Sequence, residues 1–450
     1  MKQYISNKIR LRFVDYFRDT NALKYLSEYL NSQWYSPEQV KANEWAKLKK
    51  LIEHSYMNVK YYNELFHKIG ITPKDIRTME DFQQLPILTK EIIRRSEKDL
   101  VAKNYKDYKP RKKFTGGSTG APLVYYFDKQ AHSSQWATIF LQWIIGGCMP
   151  GTKMVHLGGP SITPSFNDIK KDIYRKINNW TFFSSFELND DKMASWVNII
   201  KKKNIKYMHG YSSSAYLLAK YVKENNIDLK FKSVFTSSEP MYPQYRETIQ
   251  NVFGCETFDL YGANDGGGYA IECEKHSGLH VVSEKALIEI IKDDNTPAGV
   301  NESGEMISTD FINYSMPFIR YQVGDVATVG PAKCECMRGT PLIKNIQGRS
   351  HEFVSTKNGT KIHGAFFNRL VKGHTWISGF HVIQESSDKL TLYLKGNSLD
   401  NLEDISEMKS ILEKKFEGMV IDIKKTSELP LSKSGKYTFI ENKALSSEVI

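Results

Sequence analysis

Apolar positions recur at two different periods along this chain, and the change of period outlines its organisation. Near the start, Ile5, Ile9, Phe13 and Phe17 return every four residues. That spacing puts apolar side chains on one face of a helix, which is expected to dock on the body of the protein. Residues 36–100 read as helices broken at Ser36-Pro37, Thr72-Pro73 and Leu85-Pro86, because proline lacks an N–H and disfavours a helical residue before it. From 120 to 330, strand-like runs alternate with helical ones. VFTSS (234–238) runs from strand into loop, QYRETIQNVFG (244–254) is helical and stops at Gly254, and ETFDLYG (256–262) is a strand ending in a turn. Such alternation predicts the α/β class with a largely parallel sheet. Ligand loops in such sheets follow the C-terminal ends of strands, and TSSEP and YGANDGGG fall at such ends.

The pattern changes near residue 348. Two strand pairs (HEFVSTKNGTKI and KLTLYLKG), a helix around 402–416 and a strand with a tail follow. The expected division is a large, multi-layer domain with mixed or parallel sheets over 1–348 and a small, mobile α+β domain over 349–450. Internal repeats and low-complexity segments are absent from the sequence.

Composition narrows the class. The chain has 450 residues, 40% hydrophobic and 25% charged, which is ordinary for a globular protein and excludes a disordered one. Its net charge of +11 leaves room for an anionic partner such as a nucleotide, but the lysines are scattered and no nucleic-acid module is recognisable. No apolar run is long enough to span a bilayer, and the first residues lack a signal-peptide pattern, so a cytoplasmic location is expected. The oligomeric state stays open. Five cysteines do not make a disulfide framework.

Candidate chemistry begins in FTGGSTGAPLVYYF (114–127). A loop so poor in side chains is either a flexible turn or a cradle whose backbone N–H groups reach phosphate oxygens. It is not a Walker A loop, since Gly120 is followed by Ala121 rather than by Lys-Ser/Thr, nor is it GxGxxG.

Four stretches then fall in order: TGGSTGAP (115–122), YGANDGG (261–267), RYQVGD (320–325) with QGR (347–349), and LPLSKSGK (429–436). In this order they resemble the adenylate-forming superfamily of acyl- and aryl-CoA ligases and adenylation domains. The run LKKLIEHSYMNVKYYNELFHKIGITPKDIRTMEDFQQLPILTK (48–90) is similar to the leading region of phenylacetate–CoA ligase-like proteins, including the CapK-type proteins of capsular polysaccharide loci.

The resemblance implies activation of a small carboxylic acid by ATP and Mg²⁺, with transfer to CoA or another acceptor. It also implies roles for residues. Thr115, Ser118 and Thr119 would hold phosphates. Ser238, Glu239 and Pro240 would contact adenine, with the Tyr261 ring laid on it and Gly262 and Ala263 leaving room. Asn264 and Asp265 replace the usual Thr/Ser-Glu, and Asp265 would hold Mg²⁺ through a shorter arm. Asp325 would accept the ribose hydroxyls, Arg349 would face ribose or phosphate, and Ser350 would be the pivot. Lys436 would act, with Thr119 and Asp265, where charge develops at the reacting phosphorus. His209, Tyr211 and Ser212–Ser214 would line the acyl pocket, whose polarity suggests a polar or small acid.

Gly117 and Ala121 stand where the family often has Ser and Lys, so phosphate binding is expected to be weaker. Two other readings stand beside a CoA ligase: the CapK-type resemblance implies an adenylating acyltransferase that does not use CoA, acting in surface polysaccharide biosynthesis, and Gly117, Ala121 and Asp265 leave a nucleotide-binding scaffold that has lost turnover. The resemblance further suggests that CEKHSGLH (273–280) and CEC (334–336) emerge near one edge of the large domain. Cys273, His280, Cys334 and Cys336 would then make a structural Zn²⁺ site, with His276 as a rival to His280. Cys148 and Cys255 are expected to be buried thiols.

Overall fold

The computed structural model describes residues 12–114, 123–158, 176–184, 190–349, 353–358, 361–363, 365–371, 374, 376–396, 401–430 and 439–443. The chain divides into two compact units, 1–323 with 327–346, and 324–326 with 347–450.

In the first unit a hairpin of β1 (Arg111–Phe114) and β2 (Val124–Phe127) precedes an eleven-stranded sheet. The sheet holds β3 (Met154–Gly158), β4 (Trp180–Ser184), β5 (Tyr207–Gly210), β6 (Ser233–Ser237), β7 (Glu256–Gly262), β8 (Tyr269–Glu272), β9 (Leu279–Val281), β10 (Ala286–Ile291), β11 (Ser303–Asp310), β12 (Tyr321–Val329) and β13 (Leu342–Arg349). Their order is β10-β11-β12-β13-β9-β8-β7-β6-β5-β3-β4. Strands β3 to β7 pair in parallel, whereas β7-β8, β8-β9 and β13-β9 are antiparallel.

The parallel half is covered on both faces, so β3 and β6 are buried at every position. Alternate residues face opposite ways. Met154, Phe235 and Leu260 pack with Phe140 and Trp143 of the helix Lys129–Ile145. Val155, Leu157 and Val234 pack with Trp196, Leu218 and Phe253 from three helices on the other face. The helix Pro243–Phe253 stops where the sequence predicts, at Gly254 in the left-handed region (φ 63°).

The leading helices bury Leu48, Tyr62, Phe66 and Phe82 against Phe318 and Tyr321. The helix Pro37–Asn58 begins with Pro37 after a Ser36/Gln39 capping box. Of the N-terminal amphipathic pattern, residues 12–18 are helical, Val14 is buried and Phe17 packs on the core, while Phe13 is exposed. Ile5 and Ile9 lie outside the described residues.

In the second unit, β14 (Phe353–Ser355) and β15 (Lys361–His363) form a hairpin. A four-stranded sheet runs in the order β18-β17-β16-β19, with β16 Ile377–Ser386, β17 Lys389–Gly396, β18 Val420–Lys425 and β19 Ile440–Asn442. The helix Leu402–Lys415 buries Met408 and Leu412 with Leu390, Leu392 and Leu394. KLTLYLKG is thus one strand, not a strand pair. Its hairpin partner β16 escapes notice in the sequence because His381 and Gln384 occupy buried positions in it.

Candidate functional site

Two loops leave the sheet side by side at the end of its parallel half. β6 pairs with β7 up to Ser237↔Leu260, so Ser238–Pro240 and Tyr261–Asp265 begin next to each other. Immediately beyond, β8 returns antiparallel to β7. Ser238 has φ 72°, a conformation that costs a non-glycine residue energy and tends to persist at functional sites. The Glu239 carboxylate accepts from the Ser213 N–H at 3.0 Å and the Ser212 hydroxyl at 3.4 Å, and Ser212 also donates to the Pro240 carbonyl at 2.8 Å. Glu239 thereby serves the helix Ser212–Glu224 as a borrowed N-terminal acceptor and fixes the loop.

On the neighbouring loop, the half-buried Tyr261 ends β7 with Gly262, and the buried Ala263 donates its N–H to the Gly268 carbonyl at 2.8 Å. The Asn264 carbonyl oxygen accepts from Gln135 at 2.7 Å and from the Tyr269 hydroxyl. Asp265 accepts from the fully buried Tyr321 hydroxyl at 2.8 Å. The glycines behind these residues permit close approach. A Cβ on Gly266 would stand 2.8 Å from the Tyr321 ring, and Gly267 (φ 68°) presses its backbone on Asp310. Tyr321 and Gln135 are partners that sequence reasoning missed; Tyr321 lay within RYQVGD, where only the final aspartate carried an expectation.

Asp325 lies within β12, after Gly324 (φ 88°), and Arg349 is the last residue of β13. Both are counted with the second compact unit. The same RYQVGD run begins with Arg320, which has a structural task. It pairs with Glu289 at 3.2 Å and donates to the carbonyls of Gln83 and Leu85, tying the leading helices to the sheet. Thr115, Ser118 and Thr119, with Gly117 and Ala121, lie outside the described residues, as do Ser350 and Lys436.

A second feature lies beside these loops; the sequence offered His209 of it as an acyl-pocket residue, but not His156 or Trp143. His156 on β3 and His209 on β5 face the Trp143 indole, with ring centres 5.4–5.8 Å apart. His209 Nε2 lies 3.3 Å from the Ser237 hydroxyl at the end of β6. Among the described residues, the other His209 nitrogen, both of His156 and the Trp143 N–H are buried without a hydrogen-bond partner. Burial keeps both imidazoles neutral: it holds His156 well below the usual histidine range and His209 down to about 4. Each unsatisfied buried group costs about 1–3 kcal/mol.

The cysteine patches meet. Cys273, His280, Cys334 and Cys336 are all buried, with one ligand atom of each within 4.8 Å of the others. Cys273 Sγ is 3.7 Å from Cys334 Sγ, and Cys336 Sγ is 3.2 Å from His280 Nε2. His276 is committed elsewhere: its ring nitrogens stand 3.1 Å from Glu272 and 3.3 Å from Glu256.

The arrangement of sheet and loops defines a class. A crystal structure of 2-hydroxyisobutyryl-CoA ligase in the postadenylation state, in complex with R3-HIB-AMP, matches with a TM-score of 0.70 over 91% of this chain and 92% of that one, at 16% identity. The chain has the fold of the adenylate-forming CoA ligases. Within that class its sequence resembles CapK of Staphylococcus aureus, 25% identical over 86% of this chain and 85% of that protein. It also resembles the phenylacetate–coenzyme A ligase of Thermus thermophilus, 21% identical over 70% and 72%. Residues 354–443 match the CapK C-terminal domain.

Proposed function

We propose that the protein is an adenylate-forming ligase that activates a carboxylic acid with ATP. A carboxylate oxygen attacks the α-phosphorus and pyrophosphate leaves; the acyl-adenylate then passes its acyl group to the CoA thiol as AMP departs. The observation that carries this reading is the pair of adjoining loops at the ends of β6 and β7, at the turn from parallel to antiparallel pairing. They offer an adenine ring a tyrosine, Tyr261, and a backbone loop held rigid by Glu239, and they offer Mg²⁺ a carboxylate, Asp265, oriented by a phenol.

Thr115, Ser118 and Thr119 would hold the phosphates and Asp325 the ribose diol, with Arg349 beside them. Lys436 would meet the charge that develops in transfer. In this reading the domain after residue 348 turns about Ser350 to deliver Lys436 and then presents another face for thioester formation. The neutral ring nitrogens of His156, His209 and Trp143 favour an acid that carries its own hydrogen-bonding group over a plain fatty chain. Dependence on ATP suits a cytoplasmic location, and among the described residues no helix is long and apolar enough to cross a membrane.

A pyrophosphate-release screen over a carboxylic-acid library tests the reading, with release expected for at least one polar or small acid. The likeness to CapK supports a second reading, in which the acyl group goes to an amine, hydroxyl or carrier protein in making surface polysaccharide. Formation of a CoA thioester with the active acid separates the two. ATP binding with no acid-dependent release would favour a scaffold, the outcome to which Gly117, Ala121 and Asp265 lean.

A further inference from the structure

The eleven-stranded sheet has a narrow joint. Strands β10 to β13 attach to the rest through β13 and β9, and that pairing comprises Leu342↔His280 and Ile343↔Leu279. β9 is three residues long. Two ladder pairs make a weak seam between the parts of a large sheet, because each backbone hydrogen bond adds only about 0.5–1.5 kcal/mol net.

The four candidate ligands straddle this seam, two from each side. Cys273 follows β8 and His280 lies in β9; Cys334 and Cys336 sit in the connection from β12 to β13. Both cysteine patches have the same turn. The His276 N–H donates to the Cys273 carbonyl at 3.1 Å, and the Met337 N–H donates to the Cys334 carbonyl at 3.1 Å. In each turn the fourth residue has positive φ, 52° at His276 and 68° at Met337. Neither is a glycine, and Met337 is 79% exposed, so its own packing does not account for its conformation. What the two turns share is a cysteine at the first position, each aimed into one buried cluster.

The geometry points to one zinc ion bound by Cys273, His280, Cys334 and Cys336, clamping the β13–β9 seam. In a tetrahedral site with Zn–S of about 2.3 Å and Zn–N of about 2.0 Å, the S···S edge is about 3.8 Å and the S···N edge about 3.5 Å. The separations of 3.7 Å and 3.2 Å lie close to those edges. A disulfide would need about 2.05 Å, and all five cysteines are free. Three thiolates and an imidazole suit zinc and leave no open position for chemistry.

The surroundings fit as well. The other ring nitrogen of His280 lies 3.2 Å from the Thr340 hydroxyl, which fixes the ring. The Lys275 N–H donates to Cys273 Sγ at 3.4 Å. Zinc with three thiolates carries one net negative charge, and the buried Arg338, paired with Glu274 at 2.9 Å, stands beside Cys336 to offset it. His276 is outside the site because Glu272 and Glu256 flank it.

The test uses the full chain, purified without chelator under reducing, anaerobic conditions, given zinc sulfate alone and desalted. Elemental analysis is expected to find one zinc per chain in the wild type and in Cys148→Ser, Cys255→Ser and His276→Ala. Loss is expected in Cys334→Ser and His280→Ala. Less than roughly a tenth of an equivalent in the wild type, or full zinc in Cys334→Ser, overturns the site. Zinc kept in His280→Ala and lost in His276→Ala overturns the ligand set. Should the ligand variants fail to fold, cobalt offered to metal-free wild type must give the absorption of a tetrahedral thiolate site; its absence is equally fatal. The clamp has its own readout in hydrogen exchange. Removing zinc should abolish protection at 279–281 and 342–343 while β3 and β6 keep theirs, and unchanged protection at the seam overturns the clamping role.

Discussion

The cysteine–histidine cluster and the pair of loops after β6 and β7 are both gathered from distant parts of the chain, yet they are built differently. In the cluster, cysteines from two matching turns converge with His280 of β9 within 4.8 Å, and their geometry is complete among the described residues. In the loops, the polar groups are already held by the protein: Glu239 by a helix N-terminus, Asn264 by Gln135 and Tyr269, Asp265 by Tyr321. A site that closes on an ion satisfies itself. A site that must admit substrates fixes its loops from behind and leaves completion to residues elsewhere; in the proposed function these would be Lys436 and the 115–122 loop. Substitutions in the first should damage stability more than chemistry, and in the second the reverse.

The largest expected effect tests the second half of that contrast. Lys436→Ala should lower adenylation by about 100-fold or more, as for removal of a group that meets developing charge, with ATP still bound and the melting temperature unchanged. Activity within about threefold of wild type would remove Lys436 from the reaction. Asp325→Ala should weaken ATP binding by about 1.5–3 kcal/mol whichever acid is used, measured by calorimetry; unchanged affinity would take the ribose away from it. Tyr321→Phe is a finer probe. It deletes the hydroxyl that orients Asp265, and should raise the Mg²⁺ concentration needed for half-maximal activity about tenfold, for a loss near 1.4 kcal/mol, while Mg²⁺-independent ATP binding stays the same.

The two regions also differ in how legible they were. The cysteines announced themselves by falling in two short patches, but His276 and His280 could not be told apart by spacing. The structure separates them by bringing His280 to the cysteines and setting His276 between Glu256 and Glu272. Loop positions after β6 and β7 followed from the alternation of strand and helix, and Gly254 marked its helix end correctly. What stayed hidden depends on long-range contact. Gln135 reaches Asn264 across 129 positions, and no local pattern encodes that. His209 was expected at the acyl pocket, but its grouping with His156 and Trp143 was not; His156 sits within a fully buried strand, where a neutral histidine looks like any core residue. β16 was missed for the same reason, since the buried His381 and Gln384 interrupt its apolar pattern.

The smallest predicted effect concerns those buried histidines. His209 is held down to about 4 by burial, so the folded protein binds fewer protons than the unfolded chain between about 6.5 and 4. Its neutral form is fully accommodated above 6.5, and stability falls as the pH drops below that. The expected loss is about 1.4 kcal/mol per pH unit for this one group. Glu44, Asp128 and Asp259, raised to about 7 by burial, pull the other way, so the readout is a difference. His209→Phe should gain stability relative to wild type as the pH falls from 6.5 to 5 in denaturant titrations; a difference independent of pH would mean that folding leaves the proton affinity of His209 unchanged.

The central claim is that the loops after β6 and β7 serve adenylation. Its most direct test is exchange of labelled pyrophosphate into ATP, with wild-type protein, Mg²⁺ and each acid that scores in the release screen. Exchange must require both the acid and Mg²⁺, must be independent of CoA, and must vanish in Lys436→Ala. Wild-type protein that binds ATP but gives no acid-dependent exchange, across acids with and without hydrogen-bonding substituents, would contradict the account.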